Sequence, residues 1–268
     1  METGNFWFAF GLTLFAGLST GIGSALAFFT RKTNTKFLSI SLGFSAGVMV
    51  YVSFVEILQK AKESLSLEFG EKQGAWYMVL SFFAGILVIA LIDKLIPSME
   101  NPHEIHRVEE VDTVHSKNSK LVRMGTFTAI AIAIHNFPEG IATFTAGLTN
   151  AEIAVPIAIA IAIHNIPEGI AVSIPVSYGT GSKLKGFFLS FLSGLAEPVG
   201  ALLAYFILMP LFTESLFGFL FAGVAGIMVF ISIDELLPTA REYGLHHHSV
   251  YGFLGGMAVM ALSLLLFI

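Results

Sequence analysis

Eight apolar runs, each about the 20 residues a helix needs to cross a ~30 Å hydrocarbon core, fill most of this 268-residue chain. They lie near 6–29, 37–59, 75–96, 124–147, 154–176, 184–209, 215–237 and 250–267. A bilayer offers no water to backbone N–H and C=O groups, so a spanning segment is a helix or part of a closed barrel. The Ala/Ile alternation at 129–134 has the period of a strand, but the run around it is far too long for one strand and reads as helix. Only 12% of the residues are Asp, Glu, Lys or Arg, about half the share of a soluble domain. The expected fold is all-α: one polytopic transmembrane transport domain over 1–268 with eight transmembrane helices. No length remains for a soluble catalytic or nucleotide-binding domain. The first run is too long, and Met1 to Asn5 too free of basic residues, for a cleaved signal peptide. With no cysteine in the chain, a thiolate metal site is excluded.

Basic residues in the loops orient the spans. With the N-terminus outside, Arg31, Lys32, Lys36, Lys94, Arg107, Lys117, Lys120, Arg123, Lys183, Lys185 and Arg241 face the cytoplasm. Only Lys60, Lys62 and Lys72 then face out, a split of 11 to 3. An even number of spans places both termini outside, in a multi-pass protein expected in the cytoplasmic (inner) membrane. The net charge of −5 sits in a few loops, and no nucleic-acid partner is expected.

Two internal repeats stand out. Residues 130–142 (IAIAIHNFPEGIA) recur at 159–171 (IAIAIHNIPEGIA) with an offset of 29, differing only at Phe137 and Ile166. Residues 47–63 (GVMVYVSFVEILQKAKE) resemble 226–242 (GIMVFISIDELLPTARE) at an offset of 179. The first pair falls on helices 4 and 5 and the second on helices 2 and 7, so the members of each pair run in opposite directions. Inverted repeats are a recurring transporter design, with the binding site near the midplane where the repeats meet.

An ionisable group in mid-span is costly and marks function by default. His135, Glu139, His164, Glu168 and Glu197 all sit there. A spacing of four puts each His and its Glu on one helix face. Two such faces meeting give imidazoles and carboxylates at one depth, a set suited to zinc and similar divalent ions. Asn136 and Asn165, rotated by roughly 100° from each His, point to a second ion closed by Glu197, with Glu139 and Glu168 bridging both. Pro138 and Pro167 cannot donate to the carbonyls of Ile134 and Ile163, which bends each helix at its ligands. The plainer alternative is that each Glu is protonated and pairs with the histidine of its own helix.

Lower along the path, Glu56 and Glu235 are repeat-equivalent carboxylates at opposite ends, read as entrance and exit groups with Asp234 beside the latter. An ordinary interfacial role is equally open. Met49 and Ser53 share a face that would line the path, though Met is more often packing. The loop 98–122 holds His103, His106 and His115 and faces the cytoplasm, as do His246, His247 and His248. Metal capture and a plain solvated linker are both open for these. Small-residue spacings such as Gly17/Gly21, Gly43/Gly47 and Gly252/Gly256 suggest close helix packing, within one chain or in a homodimer.

The HNFPEG and HNIPEG pair, the SGLAEP stretch at 193–198, and the GVMVYVSFVEIL and GIMVFISIDELLP segments resemble the ZIP (Zrt/Irt-like) metal transporters. The likeness spans nearly the whole chain, with 98–122 as the exception. It implies a binuclear site at His135, Asn136, Glu139, His164, Asn165, Glu168 and Glu197, and uptake of zinc, iron, manganese, cobalt or cadmium as cargo rather than cofactor. Some members carry Asp or Gln where this chain has Asn165 or His164, so metal preference does not transfer. No phosphate-binding loop is present to hydrolyse ATP. Two other classes stay in view. An intramembrane metalloenzyme would want H-E-x-x-H or E-x-x-H pairs, whereas the order here is H-x-x-x-E. A membrane protein that binds metal without moving it is the other.

Overall fold

The structure, a computed structural model, describes residues 3–29, 35–95, 114–149, 151–208, 213–243 and 246–265. Among these residues it is almost entirely helical, without strands. Helix α1 is Thr3–Phe29, α3 is Glu71–Leu95, α4 is Val114–Thr149, α5 is Ala151–Thr180 and α8 is His246–Leu265. Helix α2 runs Thr35–Val52, passes through a π-helical turn at Ser53–Ile57, and continues as Leu58–Phe69. Helix α7 is built the same way, from Glu214–Ile231, a π-turn at Ser232–Leu236 and Leu237–Tyr243. Helix α6 comprises Lys183–Gly194 and Ala196–Leu203 and ends in a π-turn at Ala204–Leu208. Among the described residues, seven of the eight are long and apolar enough to cross a membrane; α4, with the first HNxPEG motif at its centre, is the remaining one.

Three boundaries differ from the sequence expectation. Helix α2 runs on to Phe69 because Ala61 and Leu65 bury against Gly218 of α7, and Gly70, at φ 80°, turns the chain at once into α3. Helix α4 starts at Val114, so 114–122 of the expected loop is helical. Residues 98–113, with His103 and His106, lie outside the described residues, as does the His115 side chain. The run 184–209 is interrupted at Leu195. Pro198 has no N–H to give the Gly194 carbonyl, and that carbonyl packs on Gly17 instead.

The repeats extend beyond the two segments legible in the sequence. A Cβ on Gly47 would strike the Phe253 carbonyl, and one on Gly226, 179 residues on, would strike that of Phe82. One on Gly256 would strike the Phe44 carbonyl, and one on Gly85 that of Gly223. Likewise Gly140 sits on the Glu197 carbonyl as Gly169 sits on that of Thr20, and Gly200 on Phe137 as Gly23 on Ile166. Gly17 and Gly194 each face the other's carbonyl. One two-fold therefore exchanges α1 with α6, α2 with α7, α3 with α8 and α4 with α5. It puts Thr20 in the place of Glu197, and Ala16 in that of Ser193. In α1 and α6 the contacts Gly17–Gly194 and Gly21–Phe191 advance along one helix and retreat along the other, so exchanged helices are antiparallel and the axis lies across them. Helix association in lipid lacks a hydrophobic drive and relies on close packing; these backbone approaches supply it.

Packing sorts the helices into two groups of four, each two-fold by itself: α1, α4, α5 and α6, and α2, α3, α7 and α8. They meet chiefly where α2 lies on α5, over Met49, Ile157, Ala160 and Ile161. On the two-fold-related side, between α3, α4 and α7, an apolar groove of about 510 Å³ is lined by Val88, Ile89, Ile130, Ala133, Phe137, Pro138 and Ile227.

Candidate metal centre

The HNxPEG segments lie where α4 and α5, consecutive in the chain, pack on each other. His164 Nε2 and Glu139 Oε2 lie 3.3 Å apart, within hydrogen-bonding distance. Both are buried. The histidine thus has a partner across the repeat. His164 Nδ1–H donates to the Ala160 carbonyl at 3.1 Å, since a carbonyl can only accept. That bond fixes the ring with Nε2 towards Glu139, an orientation that suits a histidine for binding metal through Nε2.

The asparagines are held by the two-fold. Asn165 Nδ2 donates to the Ala16 carbonyl at 2.9 Å, and Asn136 Nδ2 to that of Ser193 at 3.3 Å, the same contact in the other half. Asn165 also donates to Glu197 Oε1. Each amide oxygen is thereby turned away from the carbonyl, and Asn136 Oδ1 and Asn165 Oδ1 have no partner among the described residues. Neither do Glu139 Oε1 and Glu197 Oε2. An acceptor buried without a donor costs about 1–3 kcal/mol, and more when charged. Four of them lie in one polar layer of an apolar protein.

Glu168 Oε1 accepts a hydrogen bond from Ser45 Oγ at 3.2 Å, and Ser45 also lies 3.4 Å from the His164 carbonyl. Sequence reasoning did not single out Ser45. Its one signal is a place four residues before Met49, on the buried face of α2. The structure therefore joins Glu139 with His164, Asn165 with Glu197, and Glu168 with α2. Asn136 sits in the same layer on the Ser193 backbone, and the side chain of His135 lies outside the described residues. Among the described residues no three His, Asp or Glu groups converge tightly enough to grip an ion as they stand.

Of the path candidates, Met49 and Ser53 are fully buried. Ser53 Oγ donates to the Met49 carbonyl at 2.7 Å and Ser232 Oγ to that of Met228 at 2.7 Å, one hydroxyl bracing each π-turn. Glu56 lies in the first turn, and Asp234 and Glu235 lie in the second. All three are half-buried. π-Turns often mark functional sites; here they put Ile57 and Leu236 into the core and turn the acids partly out of it. His247 stacks on Tyr251.

Known proteins resemble this chain along most of its length. A family model described as ZIP Zinc transporter matches residues 94–264. The zinc transporter ZupT of Streptococcus mutans serotype c is 63% identical over 97% of both chains. That of Lysinibacillus sphaericus is 60% identical over 99% of both, and that of Nitratidesulfovibrio vulgaris is 58% identical over the full length of both.

Proposed function

This chain belongs to the ZIP zinc transporter family, and from that premise we propose that it takes up zinc, with iron, manganese, cobalt and cadmium as further cargo, across the cytoplasmic membrane. The observation that carries the reading is the layer of buried oxygens without donors on α4, α5 and α6: Asn136 Oδ1, Glu139 Oε1, Asn165 Oδ1 and Glu197 Oε2. They accompany one histidine nitrogen already set for ligation. Two ions fit this donor set. His164, Glu139 and Glu168, with His135, serve one. Asn136, Asn165 and Glu197 serve the other, and the two HNxPEG glutamates bridge. Three carboxylates then balance most of the charge of two divalent ions.

All of these ligands belong to the α1/α4/α5/α6 group. Moving that group against α2/α3/α7/α8 would carry the ions past the fixed partner, the alternating access that inverted repeats permit. With both termini outside, the open groove between α3, α4 and α7 lies on the cytoplasmic half, which supports an inward-parted arrangement. Glu56, and Asp234 with Glu235, then stand at the entrance and exit. No nucleotide drives the cycle; ions follow their gradient, and protons released from the His164–Glu139 pair accompany binding. The test is zinc flux into proteoliposomes. Glu139→Ala and His164→Ala should each lower it at least about a hundredfold, the scale of losing a ligand or its support, while the protein still elutes as folded material. Wild-type rates from either would refute the site.

A further inference from the structure

We propose that Thr20 is a further ligand position of this centre, its hydroxyl oxygen standing across the two-fold from the Glu197 carboxylate and serving the ion beside Asn136. The proposal rests on the binuclear reading above. Thr20 is fully buried in α1, and its Oγ1 has no partner among the described residues. That is unusual for a threonine in a helix, whose hydroxyl can bond the carbonyl four residues back. Thr13, Thr143 and Thr145 do so, at 3.0, 2.9 and 2.7 Å. For Thr20 that carbonyl belongs to Ala16, and it already accepts from Asn165 Nδ2 and from Ser19 Oγ at 2.6 Å. The same bond that orients Asn165 thus coincides with a hydroxyl left without an acceptor.

Position explains what the hydroxyl is for. Glu197 packs over Gly17, and Thr20 packs over Gly194, where a Cβ would come within 2.9 Å of Oγ1. The Thr20 carbonyl meets Gly169 as the Glu197 carbonyl meets Gly140. Glu197 takes its hydrogen bond from Asn165; the two-fold assigns Thr20 to Asn136, whose Oδ1 likewise has no partner among the described residues. A glutamate on one side and a threonine on the other give the centre one charged and one neutral oxygen at equivalent places. The neutral one favours a hard cation without adding a fourth negative charge.

The experiment compares manganese and cadmium uptake by the full chain in proteoliposomes, in Thr20→Val, Thr20→Ser and Thr20→Cys. Loss of an oxygen ligand penalises the harder ion more, and a thiolate favours the softer one. Thr20→Val should lower the manganese-to-cadmium ratio by about fivefold or more, Thr20→Ser should return it to the wild-type value, and Thr20→Cys should lower it further still. The chain's lack of cysteine makes that thiol unique. An unchanged ratio in Thr20→Val and Thr20→Cys overturns the proposal, and if the valine variant does not fold, the serine and cysteine pair decides by itself. Glu197→Gln is run alongside. If it loses flux while the Thr20 ratios stay flat, Thr20 alone is refuted; if it transports like wild type, the binuclear reading falls.

Discussion

The two faces on which the helix groups meet are copies of one another in sequence and differ in state. On the α2/α5/α8 face, Val48, Ala162 and Pro167 are buried. Their two-fold mates Ile227, Ala133 and Pro138 line the open groove between α3, α4 and α7. A hydroxyl crosses the closed face, from Ser45 to Glu168, and its mate position holds Val224, which has none to offer Glu139. Near-equal halves caught in unequal arrangements are what alternating access requires, because exchanging the two arrangements exchanges the side that is parted. On the proposed reading, the closed face is held by close packing and by a hydrogen bond whose mate position on the parted face has no hydroxyl.

One substitution made at both mates should break the comparison most sharply. Ala133→Trp fills a groove that already has room for it, so the protein should melt as wild type does. Flux should nonetheless fall by an order of magnitude or more, as the groove can no longer close. Ala162→Trp enters a packed face, where forced extra volume costs about 1–3 kcal/mol or more, and should lower the melting temperature in detergent. Equal melting shifts for the two, or full flux from Ala133→Trp, would mean the groove takes no part in the cycle.

The next effect concerns what the halves share. Gly47→Ala and Gly226→Ala each push a methyl onto the matching carbonyl of a partner helix, so both should destabilise by about 1–3 kcal/mol, and by similar amounts. The pair lies within one group of helices, and flux measured below the melting range should change little. A large loss in one and none in the other would show that the two-fold does not govern packing.

How much of this could be read beforehand depended on residue type. Eight spans and the HNxPEG pair were legible because a bilayer tolerates so few charged residues that any regular pattern of them stands out. The exchange of α1 with α6 and α3 with α8 was not. Lipid-facing positions such as Leu87 and Leu262 accept almost any apolar side chain, so the halves have drifted apart except where glycine meets backbone. The π-turns leave no signature of their own, since Ser53 and Ser232 look like any helical serine bonding back. Ser45 and Thr20 stayed hidden for the same reason. A hydroxyl in an apolar helix is ambiguous until its carbonyl four residues back is seen to be free or taken. The break at Leu195 had a visible cause in Pro198, but the apolar run passed straight over it.

The smallest expected effect tests the one polar difference between the faces. Ser45→Ala removes a hydrogen bond across the closed face, and a bond of this kind contributes about 1 kcal/mol, roughly a fivefold change in the ratio of the two arrangements. Zinc flux is a poor detector of such a shift, since the arrangement seen here stays the more populated one. The closed face is a better one. A cysteine at Ala162 in this cysteine-free chain reacts with a small maleimide only while that face is parted, so its labelling rate tracks the minor arrangement. In the Ser45→Ala background that rate should rise several-fold. Adding Val224→Ser gives the opposite face a hydroxyl for Glu139 and should raise the rate again by a similar factor, because a bond made only in the minor arrangement favours it as much as the lost bond favoured the major one. Labelling that ignores Ser45→Ala would mean that the hydroxyl merely satisfies Glu168 and that packing alone keeps the face closed.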